Sequence, residues 1–284
     1  MLTIADHTLE QWLREDLPYC DLTTHMLGLG DTPGRMIFKT REDIVVCGTE
    51  EAFRILQKSG SFPEPAFRRS GTRTTAGEQL LVATGTAESL HAAWKICANL
   101  LEHASGIATR TRRMVDTANA AAPAGRHISV AVTRKGFPGA KELAIKAVLA
   151  GGGFPHRLGL SETLLIFPQH RSFLPPDALA EKISELRSQA CEKKLIVEAC
   201  TADEARRWAS LGADGVQFDK LTPALLAPLV TELRATYPRL LLLAAGGINQ
   251  SNTAAYAATG VDVLVTSSLH YSEPADIGVT LSPA

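Results

Sequence analysis

The sequence predicts an α/β protein in which a mixed α+β segment precedes a barrel of parallel strands. Three observations carry that reading. Beyond the AAAPAG stretch at residues 120–125, short β-rich runs and amphipathic helical runs alternate strictly, the pattern of parallel strands joined by helical crossovers. A weak internal repeat lies in the same region. EARRWASLGADGVQ at 204–217 and TAAYAATGVDVLV at 253–265 each read as amphipathic helix, glycine stop, Ala-Asp or Val-Asp step, and buried strand. No GxGxxG follows a strand, so six strands with their helices fit a closed or nearly closed barrel better than a dinucleotide-binding sheet. One sequence does not reveal strand order, and an open doubly wound sheet is the alternative.

The elements follow in chain order. A helix is expected over residues 4–14, with Ile4, Leu9, Trp12 and Leu13 on one side. Strands are expected at 35–39 and 44–47. Thr49 is placed as the N-cap of a helix reaching Lys58 and stopped by Gly60. Residues 79–84 read as a strand. A long helical stretch over 88–119 then repeats Leu90, Ala93, Trp94, Cys97, Leu100, Leu101, Ala104 and Ala108 at threes and fours. Gly106 either splits that stretch or weakens it. Barrel strands are expected at 128–132, 163–166, 195–197, 215–218, 240–244 and 262–265. Helices are expected between them at 141–149, 176–192, 202–210, 224–236 and 250–258. The boundary is set between residues 109 and 110, giving an N-terminal domain over 1–109 and a barrel domain over 110–284.

Composition narrows the function classes. The 284 residues carry 29 Lys+Arg against 30 Asp+Glu, a formal net charge of −1, with 45% hydrophobic and 21% charged residues. That is ordinary for a globular chain and excludes disordered and collagen-like classes. Without a basic excess, generic nucleic-acid binding is not expected. No apolar run approaches the roughly 18 residues of a membrane span. The first ten residues carry Asp6 and Glu10 and no basic cluster, unlike a secretory signal. The five cysteines (20, 47, 97, 191 and 200) are scattered and form no CxxC, so they read as small apolar fillers of a reduced, cytoplasmic protein.

In α/β barrels, chemistry sits at the C-terminal strand ends. There the sequence places Thr133-Arg134-Lys135-Gly136, then Glu198, Asp219, Gly246-Gly247 and Thr266-Ser267-Ser268. Glu198 and Asp219 end consecutive strands, so their carboxylates can converge on Mg²⁺ shared with substrate phosphate oxygens. The alternative is a carboxylate pair salt-bridged to nearby bases. Gly246-Gly247 before a helix suits an anion on open backbone N–H groups, or simply a tight turn. Ser267 and Ser268 are phosphate donors or a helix cap. Arg134 and Lys135 at one strand end, and His156-Arg157 after Gly151-Gly152-Gly153, suit an anionic substrate. His127, His170 and His270 are isolated and read as surface or supporting residues. Cys200 lies two residues beyond Glu198, near the site but without a base partner.

These residues resemble the quinolinate phosphoribosyltransferase (nicotinate-nucleotide pyrophosphorylase) family. The resemblance runs through Glu15-Asp16-Leu17, Asp21-Leu22-Thr23-Thr24, Asn99-Leu100-Leu101, Ser105-Gly106-Ile107-Ala108-Thr109, Thr133-Arg134-Lys135, Pro138-Gly139, Gly151 to Gly153, His156-Arg157, Gly159-Leu160, Gly212-Ala213-Asp214, Asp219, Gly246-Gly247-Ile248 and Asp276-Ile277-Gly278. It implies an N-terminal α/β sandwich and a partly open C-terminal α/β barrel. It also implies a homodimer, or an assembly of dimers, in which one subunit's N-terminal domain covers the other's barrel mouth. Arg134, Lys135, His156 and Arg157 then match residues around the acid substrate and the reacting centre. Glu198 and Asp219 match the carboxylates at the ribose and the Mg²⁺-diphosphate of phosphoribosyl diphosphate. Gly246, Gly247 and the 266–268 turn match the 5′-phosphate end.

The departures from the family pattern cluster on the acid side. Gly136 stands where the family has a second Thr, Phe167 where it has a clamp lysine, and Lys95 where it has an arginine contributed across the dimer. Ala245 replaces a Ser, Leu243 a Glu, and Ser267 a Gly. This pattern resembles a paralogous branch associated with molybdenum-transport operons. The expected function is transfer of phosphoribose to a ring nitrogen of an aromatic acid, with diphosphate released. The acceptor is quinolinate or an altered acid, and loss of the clamp lysine predicts weak quinolinate use. The alternatives are a non-catalytic anion binder linked to molybdate transport, and an unrelated phosphate-handling aldolase or isomerase resting on Lys220.

Overall fold

A computed structural model describes residues 2–175 and 178–284. The chain forms two compact units. One comprises residues up to 112 together with 136–152 and 270–284; the other comprises 113–135 and 153–269.

The first unit opens with α1 (Asp6–Asp16) and the single-turn helix α2 (Leu22–Met26), followed by β1 (Pro33–Thr40) and β2 (Ile44–Val45). Then come α3 (Thr49–Lys58), β3 (Phe62–Pro63), β4 (Arg73–Thr74), β5 (Gln79–Thr86) and α4 (Ala87–Ala121). Strand β1 alternates buried Met36 and Phe38 with half-buried Arg35 and Ile37, the period-two pattern of a sheet with one face on a core. The cap of α3 is Gly48 at φ 95°, not Thr49. A left-handed residue is needed there, and the Thr49 hydroxyl is used elsewhere, donating to the Arg68 carbonyl at 2.6 Å.

Helix α4 is one continuous helix of 35 residues despite Gly106. The glycine is there for close approach: a Cβ would strike the Glu273 carbonyl and lie 3.1 Å from Pro274 Cα. The apolar stripe is buried as expected, except for Trp94, which is 41% exposed.

The C-terminal strand β13 (Ile277–Pro283), which the sequence pattern did not reveal, pairs antiparallel with β1 at the sheet edge. The sheet order is β13-β1-β5-β3, with β2 and β4 forming a separate pair. Ile4, Leu9, Phe38, Ile55, Leu81, Leu90 and Leu101 belong to its core.

The second unit carries a seven-stranded sheet. In chain order its strands and helices, with α5 of the first unit between them, are β6 (Ser129–Val132), α5 (Lys141–Ala150), β7 (Phe154–Pro155), β8 (Leu164–Ile166), α6 (Pro168–Arg171) and α7 (Ala178–Gln189). There follow β9 (Leu195–Ala199), α8 (Ala202–Ser210), β10 (Gly215–Asp219), α9 (Pro223–Thr236), β11 (Leu241–Ala245), α10 (Thr253–Ala257) and β12 (Val263–Thr266). The expected start of α7 at residue 176 lies outside the described residues.

All pairings within this sheet are parallel, and the order is β7-β6-β12-β11-β10-β9-β8. The pairing of β6 with β12 closes the curl, and consecutive β7 and β8 form the two free edges. This is a partly open barrel rather than a doubly wound sheet. The expected strands number one fewer because β7 is only two residues long. The strands read as near-continuous apolar runs because both of their faces are covered.

The internal repeat has a physical basis. Asp214 donates its N–H to the Leu195 carbonyl and accepts the Leu195 N–H on its side chain, both at 2.8 Å. Asp262 does the same to Leu242, at 2.8 and 2.9 Å. Each repeat uses its aspartate to clasp the entry of the neighbouring strand.

Candidate active site

The C-terminal ends of the barrel strands hold most of the residues singled out from sequence. Glu198 is inside β9 rather than after it, and is 9% exposed. Its register partner on β10 is Gln217, whose amide donates to Glu198 Oε2 at 2.9 Å. Two residues further along each strand come Asp219, the last residue of β10, and Cys200, just past β9. Alternation puts all four side chains on one face. The donor atoms of Glu198, Cys200 and Asp219 lie within 4.8 Å of one another.

Burial pushes the Glu198 carboxyl above its usual range, the Gln217 hydrogen bond opposes this, and the Asp219 charge adds to it. Lys135 and Arg171 are close enough to favour the ionised form. Arg171 itself is held by Glu204 at 2.7 Å and lies 5.2 Å over the Trp208 ring. Helix α8 behind it is capped by Thr201, which accepts from the Glu204 N–H at 3.2 Å.

The Asp219 corner is conformationally demanding. Lys220 has φ 61°, alone among described non-glycine residues in the left-handed region, and its Nζ is 3.9 Å from Asp219 Oδ2. Gly246 faces this corner at φ 90°, and a Cβ there would sit 2.7 Å from both Asp219 Oδ1 and Lys220 N. Gly247 at φ 77° is exposed, with open space where a Cβ would be.

The glycine pair does not lead straight into a helix. Helix α10 starts at Thr253 and has five residues, and Asn249 and Asn252 close the intervening turn on the Gly247 carbonyl at 3.3 and 3.0 Å. The Thr266 hydroxyl donates to the Ile248 carbonyl at 2.6 Å and accepts from the Ser268 N–H at 3.0 Å. It ties the 266–268 turn to the glycine loop, with Ser267 half-buried beside it.

Just past β6 and β7, Arg134 and Lys135 are exposed, while Arg157 is largely buried. Burial and the nearby Arg134 charge both lower the Arg157 pKa. The Glu162 charge opposes that lowering. Arg157 also lies 5.7 Å from the centroid of Phe167. Burial first and the Arg157 charge second lower the His156 pKa, against a contact with Gln217.

Phe167 stacks on His170, whose Nδ1 accepts the Phe167 N–H at 2.9 Å. It packs against a cluster of Leu165, Ile196, Leu243, Ala245 and Val265. Three of the departures noted from sequence, Phe167, Leu243 and Ala245, therefore share one apolar cluster.

The remaining candidates lie in the first unit. Lys95 is exposed on α4. Gly136 lies against His270, where a Cβ would be 3.0 Å from the ring, so a larger residue would displace it. The cysteines divide: Cys47 and Cys97 are buried fillers as expected, but Cys20, Cys191 and Cys200 are exposed.

Sequence reasoning passed over Gln217 and Arg171. Gln217, a polar residue within a strand otherwise reading as core, was the available signal for the first.

Comparison with known proteins identifies the family. Residues 21–105 match the quinolinate phosphoribosyl transferase N-terminal domain, and residues 107–280 match the C-terminal domain of the same enzyme. The chain is 37% identical over 282 residues to ModD of Pasteurella multocida, which bears the name pyrophosphorylase, covering 99% of each chain. It is 41% identical over 254 residues to ModD of Rhodobacter capsulatus, covering 89% of this chain and 96% of that one. Among solved structures, nicotinate-nucleotide pyrophosphorylase from Ehrlichia chaffeensis superposes with a TM-score of 0.87 at 26% identity, covering 99% of this chain and 100% of that one. The chain belongs to the quinolinate phosphoribosyl transferase family, a family of pentosyl-transferring enzymes.

Proposed function

We propose that this chain transfers phosphoribose from phosphoribosyl diphosphate to a ring nitrogen of an aromatic acid. The observation that carries this reading is the rim itself. Converging carboxylates, Glu198 and Asp219, face Lys135, and a strained Arg134–Arg157 pair stands ready for an anion. The N–C1 bond forms as the bond from C1 to the diphosphate oxygen breaks, and the diphosphate leaves with the electron pair. Positive charge grows on the ribose, and Glu198 and Asp219 stabilise it electrostatically. Lys135, Arg134, Arg157 and His156 hold the acid in line, a positioning role. Gly246, Gly247, Ser267 and Ser268 take the 5′-phosphate.

Mg²⁺ fits the donor set. The Asp219 charge adds to the raised proton affinity of Glu198, a divalent cation would relieve it, and Glu198 and Asp219 would hold that ion through oxygen. When bound, the ion supplies charge neutralisation for the departing diphosphate.

The apolar cluster shapes the acceptor. A second carboxylate on the ring would be desolvated against Phe167, Leu243 and Ala245, with Arg157, 5.7 Å from the Phe167 ring centroid, already engaged by the first. The acceptor is therefore an aromatic acid with fewer negative charges than quinolinate, its one carboxylate on Arg157 and Arg134 and its ring against Phe167.

The working form is a homodimer or an assembly of dimers, with Lys95 reaching the acid from the second subunit. Exposed Leu22, Met26 and Trp94 in the N-terminal unit supply apolar surface for that contact.

The test is a calorimetric titration of phosphoribosyl diphosphate with Mg²⁺, followed by diphosphate release with a panel of N-heterocyclic acids including quinolinate. Release should depend on one acid and fall at least about a hundredfold in Lys135→Ala and Asp219→Ala. Phe167→Lys should shift preference toward quinolinate. Binding without release on any acid would favour the regulatory reading linked to molybdate transport, and no binding would remove the phosphoribosyl reading altogether.

A further inference from the structure

The carboxylate pair has a third neighbour that Mg²⁺ does not use. Because Gln217 pairs with Glu198, the residues two further on, Asp219 and Cys200, come side by side at adjacent strand ends. Oxygen, oxygen and sulfur all lie within 4.8 Å of one another. Among the described residues this is the one group of three or more His, Cys, Asp or Glu side chains so placed.

A second observation points to a ligand at the same spot. Gln217 is 5% exposed, and its Nε2 is spent on Glu198. Its Oε1 makes no hydrogen bond of normal geometry; the His156 ring is near it, and His156 Nε2 is likewise buried and unpaired. A buried acceptor left unpaired is costly, and a bound cation with its water supplies what it lacks.

We propose that Glu198, Cys200 and Asp219 form a site for a thiophilic divalent cation of the zinc class, leaving one position for water or substrate. Such an ion takes thiolate at about 2.3 Å and carboxylate oxygen at about 2.0–2.2 Å in a tetrahedron. Those lengths place donor atoms roughly 3.2–3.8 Å apart, a modest contraction that side-chain rotation provides, since Cys200 is exposed and Asp219 half-buried. Mg²⁺ demands oxygen and leaves the sulfur alone. The same corner therefore takes a hard ion on two donors or a soft one on three. Binding forms the metal–sulfur bond and releases the thiol proton to solvent. Lys135 and Arg171 near Glu198, and Lys220 at 3.9 Å from Asp219, oppose the incoming charge and keep the binding reversible. A zinc-class ion here would compete with Mg²⁺ for the carboxylates, so the site would be shut by soft metals. That consequence rests on the transferase reading; the metal site does not.

The experiment needs no turnover. The intact chain is titrated with Co²⁺ and with Zn²⁺, following thiolate-to-cobalt charge-transfer absorption and, by calorimetry in two buffers of different ionisation enthalpy, proton release. A Cys20→Ser, Cys191→Ser background removes the other exposed thiols. One equivalent should bind, with a thiolate band and release of about one proton. Cys200→Ser should abolish the band, and Asp219→Asn should weaken binding at least about tenfold. Circular dichroism checks that both variants are folded, and Cys200→Ala repeats the measurement with a second side chain. Absence of a thiolate band in the background protein, or a band unchanged in folded Cys200→Ser and Cys200→Ala, overturns the proposal. These outcomes are independent of whether any acid supports diphosphate release.

Discussion

Lys146 is a buried cation with two carboxylates, and replacing it by Met removes the charge while keeping most of the volume. The side chain is 2% exposed, and its Nζ donates to Glu51 at 2.5 Å and to Glu50 at 3.0 Å. Burial opposes the ammonium, but Glu51 and Glu50 outweigh it and hold its pKa above the usual value. The Glu51 side chain is 1% exposed and sits in the first turn of α3, so solvent does not replace the lost partner. Breaking a buried pair from one side costs about 3–5 kcal/mol, because a buried charge is left uncompensated. At about 2–4 °C per kcal/mol for a chain of this size class, Lys146→Met should lower Tm by about 6–20 °C. Thermal unfolding at neutral pH, followed by circular dichroism, measures this. The cause is separated from packing by a second variant carrying Lys146→Met, Glu50→Gln and Glu51→Gln together. If charge is the cause, the triple variant recovers part of the loss, since no uncompensated carboxylate remains. A Tm within about 2 °C of wild type for Lys146→Met would refute the magnitude. A triple variant no better than the single would refute the charge argument.

Two further outcomes follow from single residues. Burial pulls the Glu50 carboxyl upward, but hydrogen bonds from Ser70 and Lys146 overcome it and hold its pKa below the unfolded value. Its stabilisation is thus complete above the unfolded carboxylate value of about 4.3 and is lost as pH falls through the folded pKa. Glu50→Gln should flatten the acid limb of the stability–pH curve measured by urea unfolding, and an unchanged limb would contradict this. Gly246→Ala forces a Cβ to 2.7 Å from Asp219 Oδ1 and Lys220 N at φ 90°. Affinity for phosphoribosyl diphosphate measured by calorimetry should drop at least about tenfold, because Asp219 must move, while the loss of stability stays near 1–3 kcal/mol. Wild-type affinity in that variant would show that the corner tolerates displacement.

How much of this was legible in the chain differs by scale. Local periodicity located α3 and α8 at their observed bounds, because charged first turns and glycine stops are properties of adjacent residues. The α/β alternation and the repeated aspartate were also local. What the aspartates do, clasping Leu195 and Leu242 on neighbouring strands, was not. Two-residue β7 carries too little pattern to register as a strand, and β13 owes its existence to pairing with β1 more than two hundred residues earlier.

The site divides in the same way. Arg134, Lys135, His156, Arg157, Glu198 and Asp219 could be listed from the sequence, because residues at strand ends announce themselves by position. The sequence by itself determined the fold class and the charged inventory of the rim, since these rest on short-range periodicity and on position at strand ends, and its resemblance to known motifs gave the family. Tertiary structure alone decided that β6 meets β12 and so curls the sheet. It alone put Cys200 beside Asp219 through the Glu198–Gln217 register, and gathered Phe167, Leu243 and Ala245 into one apolar cluster. It likewise brought the Lys146 ammonium to Glu50 and Glu51, some 95 residues earlier. The physical reason is common to all of these. Local backbone preference acts over a few residues, whereas strand register and desolvation are settled only when distant segments share one interior.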